Sequence, residues 1–201
     1  MCNTYRFRPF ADQPFEEIRQ IGIPLEFPEG RPNIEPRDEI RIGDSAPLLT
    51  RTETGLALRT MKWAWTSPQG RPVFNFRSDE RSFANSLRCA IPADGFYEFT
   101  DALPGQKRKT KWLFTLAENP VFWIAGVIRD GAFALLTTEP GPDIAPYHSR
   151  QIVILTTGRV MEWLDLTTPE SALLAPLPAG SLAVERVFPE QTDGSEPQLF
   201  R

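Results

Sequence analysis

With 201 residues, 41% of them hydrophobic and 24% charged, the chain is long enough to bury one sizeable core and too apolar to be a disordered tail. A net charge of −4 argues against indiscriminate coating of nucleic acid, and two cysteines with one histidine exclude a disulfide framework, a cysteine-rich zinc site or a multi-histidine metal centre built within the chain. The longest apolar run, residues 121–128, is too short to span a bilayer, and no signal-like segment follows Met1, so a cytoplasmic protein without membrane contact is expected.

Prolines at positions 9, 14, 24, 28, 32, 36 and 47 interrupt residues 1–56, which predicts loops, a short helix over residues 15–19 and short strands only. Two short strands, 56–60 and 61–65, come next, followed by a turn at Ser67-Pro68-Gln69-Gly70. Ser78 ahead of Asp79 and Glu80 predicts a capped helix running to about Leu87. Strands are expected at 88–93, 95–100, 111–117, 121–128, 132–138 and 152–155, with short links that favour antiparallel neighbours. Thr157 predicts the cap of a helix through Val160 to Leu164, Thr168-Pro169-Glu170 starts a second helix with proline at its first position, and residues 182–188 form a closing strand before a polar tail. The pattern has neither repeats nor a linker, so the expected class is α+β: one domain over 1–201, mainly an antiparallel barrel-like core with peripheral helices.

Cys2 carries the most specific chemistry. Once Met1 is trimmed, one residue holds a free α-amine and a thiol on adjacent carbons. The amine condenses with an aldehyde to an imine, and the thiol closes a five-membered thiazolidine on it. In the strand 95–100, alternation puts Phe96 and Glu98 on one face, setting a carboxylate among aromatic rings, where burial raises its pKa toward neutrality and suits it to proton transfer. His148, in the loop Pro146-Tyr147-His148-Ser149-Arg150, is the default second proton carrier. Asn75 and Arg77 share one side of an extended segment; the amide can hydrogen-bond a sugar hydroxyl or the new ring, and the guanidinium can grip a phosphate. Cys89 reads as a packing residue and the cluster Lys107-Arg108-Lys109-Thr110-Lys111 as a solvated turn.

Met1-Cys2, Asn33-Ile34-Glu35-Pro36, Trp63, Asn75-Phe76-Arg77-Ser78-Asp79-Glu80, the run from Arg88 through Asp94-Gly95-Phe96-Tyr97-Glu98 and His148-Ser149-Arg150 occur in the order found in the SOS response-associated peptidase (SRAP) family, which the chain resembles. The resemblance extends from Cys2 to about Leu155. It implies recognition of abasic sites in single-stranded DNA and capture of the ring-opened C1′ aldehyde as a thiazolidine on the terminal cysteine, a crosslink that shields the lesion. It further implies Cys2 as nucleophile, Asn75 as the residue that orients the adduct, and Glu98 and His148 as proton carriers that also serve reversal. Arg77 then contacts phosphate, Pro36 falls where the family places a hydrophobic contact near the lesion, Trp63 matches the tryptophan of the family's Trp-Gly segment and belongs either to the DNA-binding set or to the core, and Arg150 belongs to the DNA-binding set. No cofactor or metal is implied; a monomer acting at the nucleoid is expected. The chain departs from the family pattern in Cys2-Asn3-Thr4, where Cys-Gly-Arg is usual, in Phe99 for tryptophan, and in Arg150-Gln151-Ile152 after the histidine. It also has Ser67-Pro68-Gln69-Gly70-Arg71-Pro72 in place of a paired tryptophan segment. Two other readings stay open at this point: a thiol autopeptidase using Cys2, and a module that binds single strands without covalent chemistry.

Overall fold

From Leu87 onward the chain is rich in branched and aromatic residues punctuated by Gly and Asp, and it folds accordingly as long strands. The computed structural model describes residues 2–8, 13–20, 22–117 and 120–189. In chain order the elements are β1 (Thr4–Phe7), α1 (Gln13–Gln20), β2 (Leu25–Glu26), β3 (Arg37–Arg41), β4 (Ser45–Arg51), β5 (Leu56–Trp63), β6 (Trp65–Thr66), β7 (Pro72–Val73) and β8 (Asn75–Arg77). They continue with β9 (Leu87–Ala93), β10 (Gly95–Thr100), β11 (Thr110–Leu116), β12 (Phe122–Arg129), β13 (Ala132–Thr138), β14 (Gln151–Ile152), β15 (Ile154–Leu155), α2 (Val160–Asp165), α3 (Glu170–Leu173) and β16 (Leu182–Phe188).

One sheet runs β14-β13-β12-β9-β4-β5-β2, and β13 returns to pair with β5 through Ala132↔Lys62 and Phe133↔Trp63, closing five of its strands into a barrel. The second sheet, β16-β11-β10-β1-β3, is antiparallel throughout. Pairing is mainly antiparallel, as the short links predict; the parallel pairs β13–β5, β13–β8 and β2–β5 are made by chain segments that return from a distance. The β12–β13 link is a two-residue hairpin, Asp130-Gly131, with positive φ at both positions (51° and 72°), the turn whose twist matches the flanking strands. Trp63, Trp123, Phe122 and Phe133 are wholly buried in one continuous core.

Several expectations need correcting. No helix forms between Ser78 and Leu87: the Ser78 hydroxyl donates to the Thr137 carbonyl at 2.9 Å instead of capping, and Glu80 adopts a left-handed φ of 57°, which ends any helical turn. The proline-rich first quarter contains a full-length strand, β4. Pro47 is tolerated there because β9 pairs only with Leu49 and Thr50, so no bond to β9 is lost at the proline. The segments expected as two strands over 56–65 form the single strand β5, broken at Ala64 by a φ of 90°. The strand expected at 152–155 is split into β14 and β15, which pair with β13 and β12 respectively. Thr157 opens a 3-10 turn ahead of α2 without a side-chain cap, and Pro169 precedes α3 as its cap residue. Among the described residues no helix is long and apolar enough to cross a membrane, and no three His, Cys, Asp or Glu side chains converge as metal ligands.

Candidate active site

The nucleophile candidate is delivered by β1. Tyr5 lies opposite Phe96 and Arg6 opposite Gly95, so the chain ahead of Tyr5 runs alongside Tyr97 and Glu98. Asp94 fixes this register. Its carboxylate accepts from Arg6 Nε at 2.9 Å and from the Arg8 backbone N–H at 3.0 Å, while its own N–H donates to the Arg6 carbonyl at 3.0 Å. A Cβ at Gly95 would lie 2.8 Å from Leu113 Cδ1 and 3.3 Å from Arg6 Nε, so any side chain there would make Leu113 shift.

Cys2 is buried, and its thiol donates to the Thr4 carbonyl at 3.3 Å. Burial, and then the charge of Glu98, push the thiol well above its ordinary range; hydrogen bonds to the Thr4 and Tyr97 backbone oppose this less strongly. The sulfur is therefore a protonated thiol at neutral pH, and it needs a base before it can attack. Asn75, at the start of β8, donates from Nδ2 to the Cys2 carbonyl at 2.7 Å, and its Oδ1 is buried without a hydrogen-bond partner among the described residues. The amide thus holds the terminal residue with one atom and keeps an acceptor in reserve.

Glu98, on β10, has a side chain only 2% exposed, and burial raises its carboxyl to about 7. A carboxyl that is half protonated at neutrality can both give and take a proton. Its Oε2 lies 4.0 Å from His148 Nε2. Desolvation lowers the pKa of the imidazole below its ordinary value, so it is predominantly neutral at pH 7. Tyr147 anchors this loop by packing edge-on against Trp112 and Phe114, with centroids 4.9 and 5.2 Å away. Cys2, Asn75, Glu98 and His148, read from four distant parts of the sequence, therefore meet.

The residues expected to bind DNA divide. Arg77 is exposed, two positions from Asn75 on β8 and so on the same side, and makes no ion pair among the described residues. Pro36 is exposed directly ahead of β3, the neighbour of β1. Trp63 is fully buried, which removes it from any surface a strand could touch. Its ring packs against Tyr5 at 5.3 Å and its Nε1 donates to the Phe74 carbonyl at 2.9 Å. It supports from below the two strands that carry Cys2 and Asn75. Arg150 is 12% exposed and committed internally, its Nη1 2.5 Å from Asp79 Oδ2 and its Nη2 donating to the Thr137 carbonyl at 2.8 Å. Arg6 and Arg8, the first arginines in sequence after the unusual Cys2-Asn3-Thr4 start, are paired with Asp94 and Asp38. Asp94 and Asp79 were not legible as site residues, since a carboxylate's partner across the fold leaves no mark in the sequence. The turn at 107–109 is exposed, with Lys111 paired to Glu39, and Cys89 is buried.

Residues 1–190 match the family described as SOS response associated peptidase (SRAP). The chain belongs to the SRAP family. Its relatives include the abasic site processing protein YoqW of Bacillus subtilis (strain 168), 30% identical over 93% of this chain and 92% of that one. YoaM of the same organism, which carries the same description, is 26% identical over 93% and 91%. Solved structures share the SRAP fold. A protein from Bacteroides thetaiotaomicron superposes with a TM-score of 0.69 at 17% identity over 92% of this chain and 91% of that one. One from Bordetella bronchiseptica gives 0.66 at 24% identity over 92% and 99%.

Proposed function

We propose that this SRAP protein captures abasic sites in single-stranded DNA as a thiazolidine on Cys2 after removal of Met1. The observation that carries the reading is the meeting of one terminal cysteine with an amide that grips its carbonyl at 2.7 Å and a buried carboxyl poised near neutrality. The homology to proteins described as abasic site processing supports the same substrate.

The freed Cys2 amine adds to the C1′ aldehyde, and the hydroxyl of the resulting carbinolamine leaves as water on receiving a proton, giving an imine. Glu98 in its neutral form supplies that proton. The imine leaves that step as its protonated iminium; the carboxylate left behind takes the thiol proton, sulfur bonds to the iminium carbon, and the C=N electron pair settles on the nitrogen, which keeps its hydrogen, so Glu98 ends neutral as it began. The sum is aldehyde plus aminothiol giving thiazolidine plus water, without any oxidant or metal. The raised thiol pKa is no obstacle in this order, because the attack comes after the carbon has been activated and beside a base. Asn75 Oδ1 accepts from the amine and orients it. His148 exchanges protons with Glu98, and in the reverse direction the same pair reopens the ring. Arg77 holds a flanking phosphate and Pro36 borders the lesion.

A thiol peptidase fits less well, since Cys2 is held as a thiol and its charged neighbour is a carboxylate. The test is incubation of the trimmed protein with an oligonucleotide bearing one abasic site, followed by a denaturing gel and intact mass measurement. A covalent product of the mass expected for loss of one water, absent in Cys2→Ala, is the expected result. Peptide hydrolysis without a covalent DNA product, or a shift seen only on native gels, overturns it.

A further inference from the structure

We infer that Asp79 is a positioning residue for His148, acting through Arg150, and that the backbone of Arg150 lets the imidazole exchange its ring proton between the two nitrogens without turning. The kinetic part of this inference rests on the reaction proposed above; the geometric part does not.

The Arg150 guanidinium ties three segments together. Asp79, just past β8, binds Nη1 at 2.5 Å. Thr137, on β13, accepts Nη2 through its carbonyl at 2.8 Å and its hydroxyl at 3.3 Å. The same Thr137 carbonyl accepts both the Ser78 N–H and the Ser78 hydroxyl, each at 2.9 Å, so the exit of β8 and the entry to β14 are knotted at one oxygen. Only 12% of the Arg150 side chain is exposed, so most of the guanidinium lies within the fold. Its carboxylate partner satisfies a charge that would otherwise be stranded.

The consequence reaches the imidazole through the main chain. Both the backbone nitrogen and the carbonyl oxygen of Arg150 lie 3.0 Å from His148 Nδ1. When the proton resides on Nε2, Nδ1 accepts the Arg150 N–H; when Nε2 is bare, Nδ1–H donates to the Arg150 carbonyl. Either neutral tautomer is satisfied in the same ring orientation, and in both Nε2 faces Glu98 at 4.0 Å. A donor and an acceptor from one residue can bracket the nitrogen only if that residue's backbone is held. Tyr147 clasps the loop on one side of His148, and the Asp79–Arg150 pair clasps it on the other.

The chain contains a single histidine, so its ring nitrogens can be read without ambiguity. The experiment labels histidine with ¹⁵N and records both ring nitrogens at a pH where the imidazole is neutral. The wild type is expected to show intermediate shifts for the two nitrogens, the signature of rapid exchange between tautomers. Resonances of one locked tautomer overturn the inference outright, whatever any variant does. Asp79→Asn is expected to move the ring to a single tautomer, Asp79→Glu to restore the wild-type pattern, and Arg150→Lys, which cannot span both partners, to behave like Asp79→Asn. Unchanged nitrogen shifts in folded Asp79→Asn and Arg150→Lys overturn it. In the abasic-site assay, Asp79→Asn is expected to slow crosslinking by roughly tenfold without weakening binding of an intact strand. If no chain variant crosslinks at all, the proposed reaction fails while the nitrogen measurement still decides the positioning role.

Discussion

At the residue scale the chemistry depends on two groups held away from their ordinary ionisation. Glu98 is raised from 4.5 to about 7 by burial, so the folded state holds its proton more tightly than the unfolded chain does. The contribution of this group to stability is fully present below pH 4.5, declines as pH rises through the interval to 7, and is gone above it. His148 has the opposite sign: its pKa is lowered, so its contribution grows as pH rises toward 6.5. Glu98→Gln isolates the first effect. Relative to wild type, the variant is expected to gain stability between pH 5 and pH 8 by on the order of 3 kcal/mol, read from urea midpoints at each pH. The same variant is expected to lose crosslinking by roughly two orders of magnitude, since an amide can neither give nor take the proton. Equal stability differences at pH 5 and pH 8 would show that the carboxyl ionises normally.

At the element scale the decisive piece is β1, a four-residue strand that must place its leading cysteine to within bonding distance of other strands. Propensity cannot do this for so short a strand; the Asp94 clamp does. Arg6 and Asp94 are 12% and 10% exposed, so removing the carboxylate leaves a desolvated guanidinium and an unpaired Arg8 N–H. Asp94→Ala is therefore expected to cost roughly 3 kcal/mol in a denaturant titration. It is also expected to lower the crosslinking rate further than a surface variant of equal stability loss, because Cys2 loses its register. The sequence made much of this architecture readable and left the rest hidden for physical reasons. Strands 88–100 and 132–138 were legible because branched and aromatic residues are bounded by turn residues there. β4 was hidden by Pro47, whose cost depends on which neighbour pairs at that point. The helix expected after Ser78 failed because the hydroxyl found a better acceptor in Thr137, and the Phe83 N–H is satisfied at 2.5 Å by Glu170 at the start of α3 rather than by helical bonds. That Cys2, Asn75, Glu98 and His148 belong together was legible from the order of their motifs along the chain, and the structure brings the four side by side. That Trp63 is wholly buried and Arg150 mostly so was not legible, because exposure is a property of the closed barrel, not of the string.

At the scale of the whole molecule, charge decides how a strand is found. The net charge is −4, and many of the described arginines are spent on internal partners: Arg6 on Asp94, Arg37 on Asp44, Arg51 on Asp165, Arg59 on Glu29 and Arg150 on Asp79. Arg88 donates to carbonyl oxygens of Phe83, Ala84, Ser86, Trp163 and Leu164. Beside the site, the exposed Arg77 and Lys109, the latter near enough to His148 to add to the desolvation that lowers its pKa, make no ion pair among the described residues. In the reaction proposed above, selection of the lesion rests on capture of its aldehyde by Cys2 more than on electrostatic adhesion. Binding of an intact single strand by Cys2→Ala, followed by fluorescence anisotropy across a salt series, is expected to be weak, with a shallow dependence of log K on log salt. Arg77→Ala is expected to flatten that slope by about 0.7, the share of one phosphate contact on a single strand. It should leave the unimolecular ring-closure rate at saturating DNA unchanged, since the guanidinium grips the backbone and not the reacting carbon. A steep slope that Arg77→Ala does not alter would mean that cations elsewhere on the molecule carry the strand.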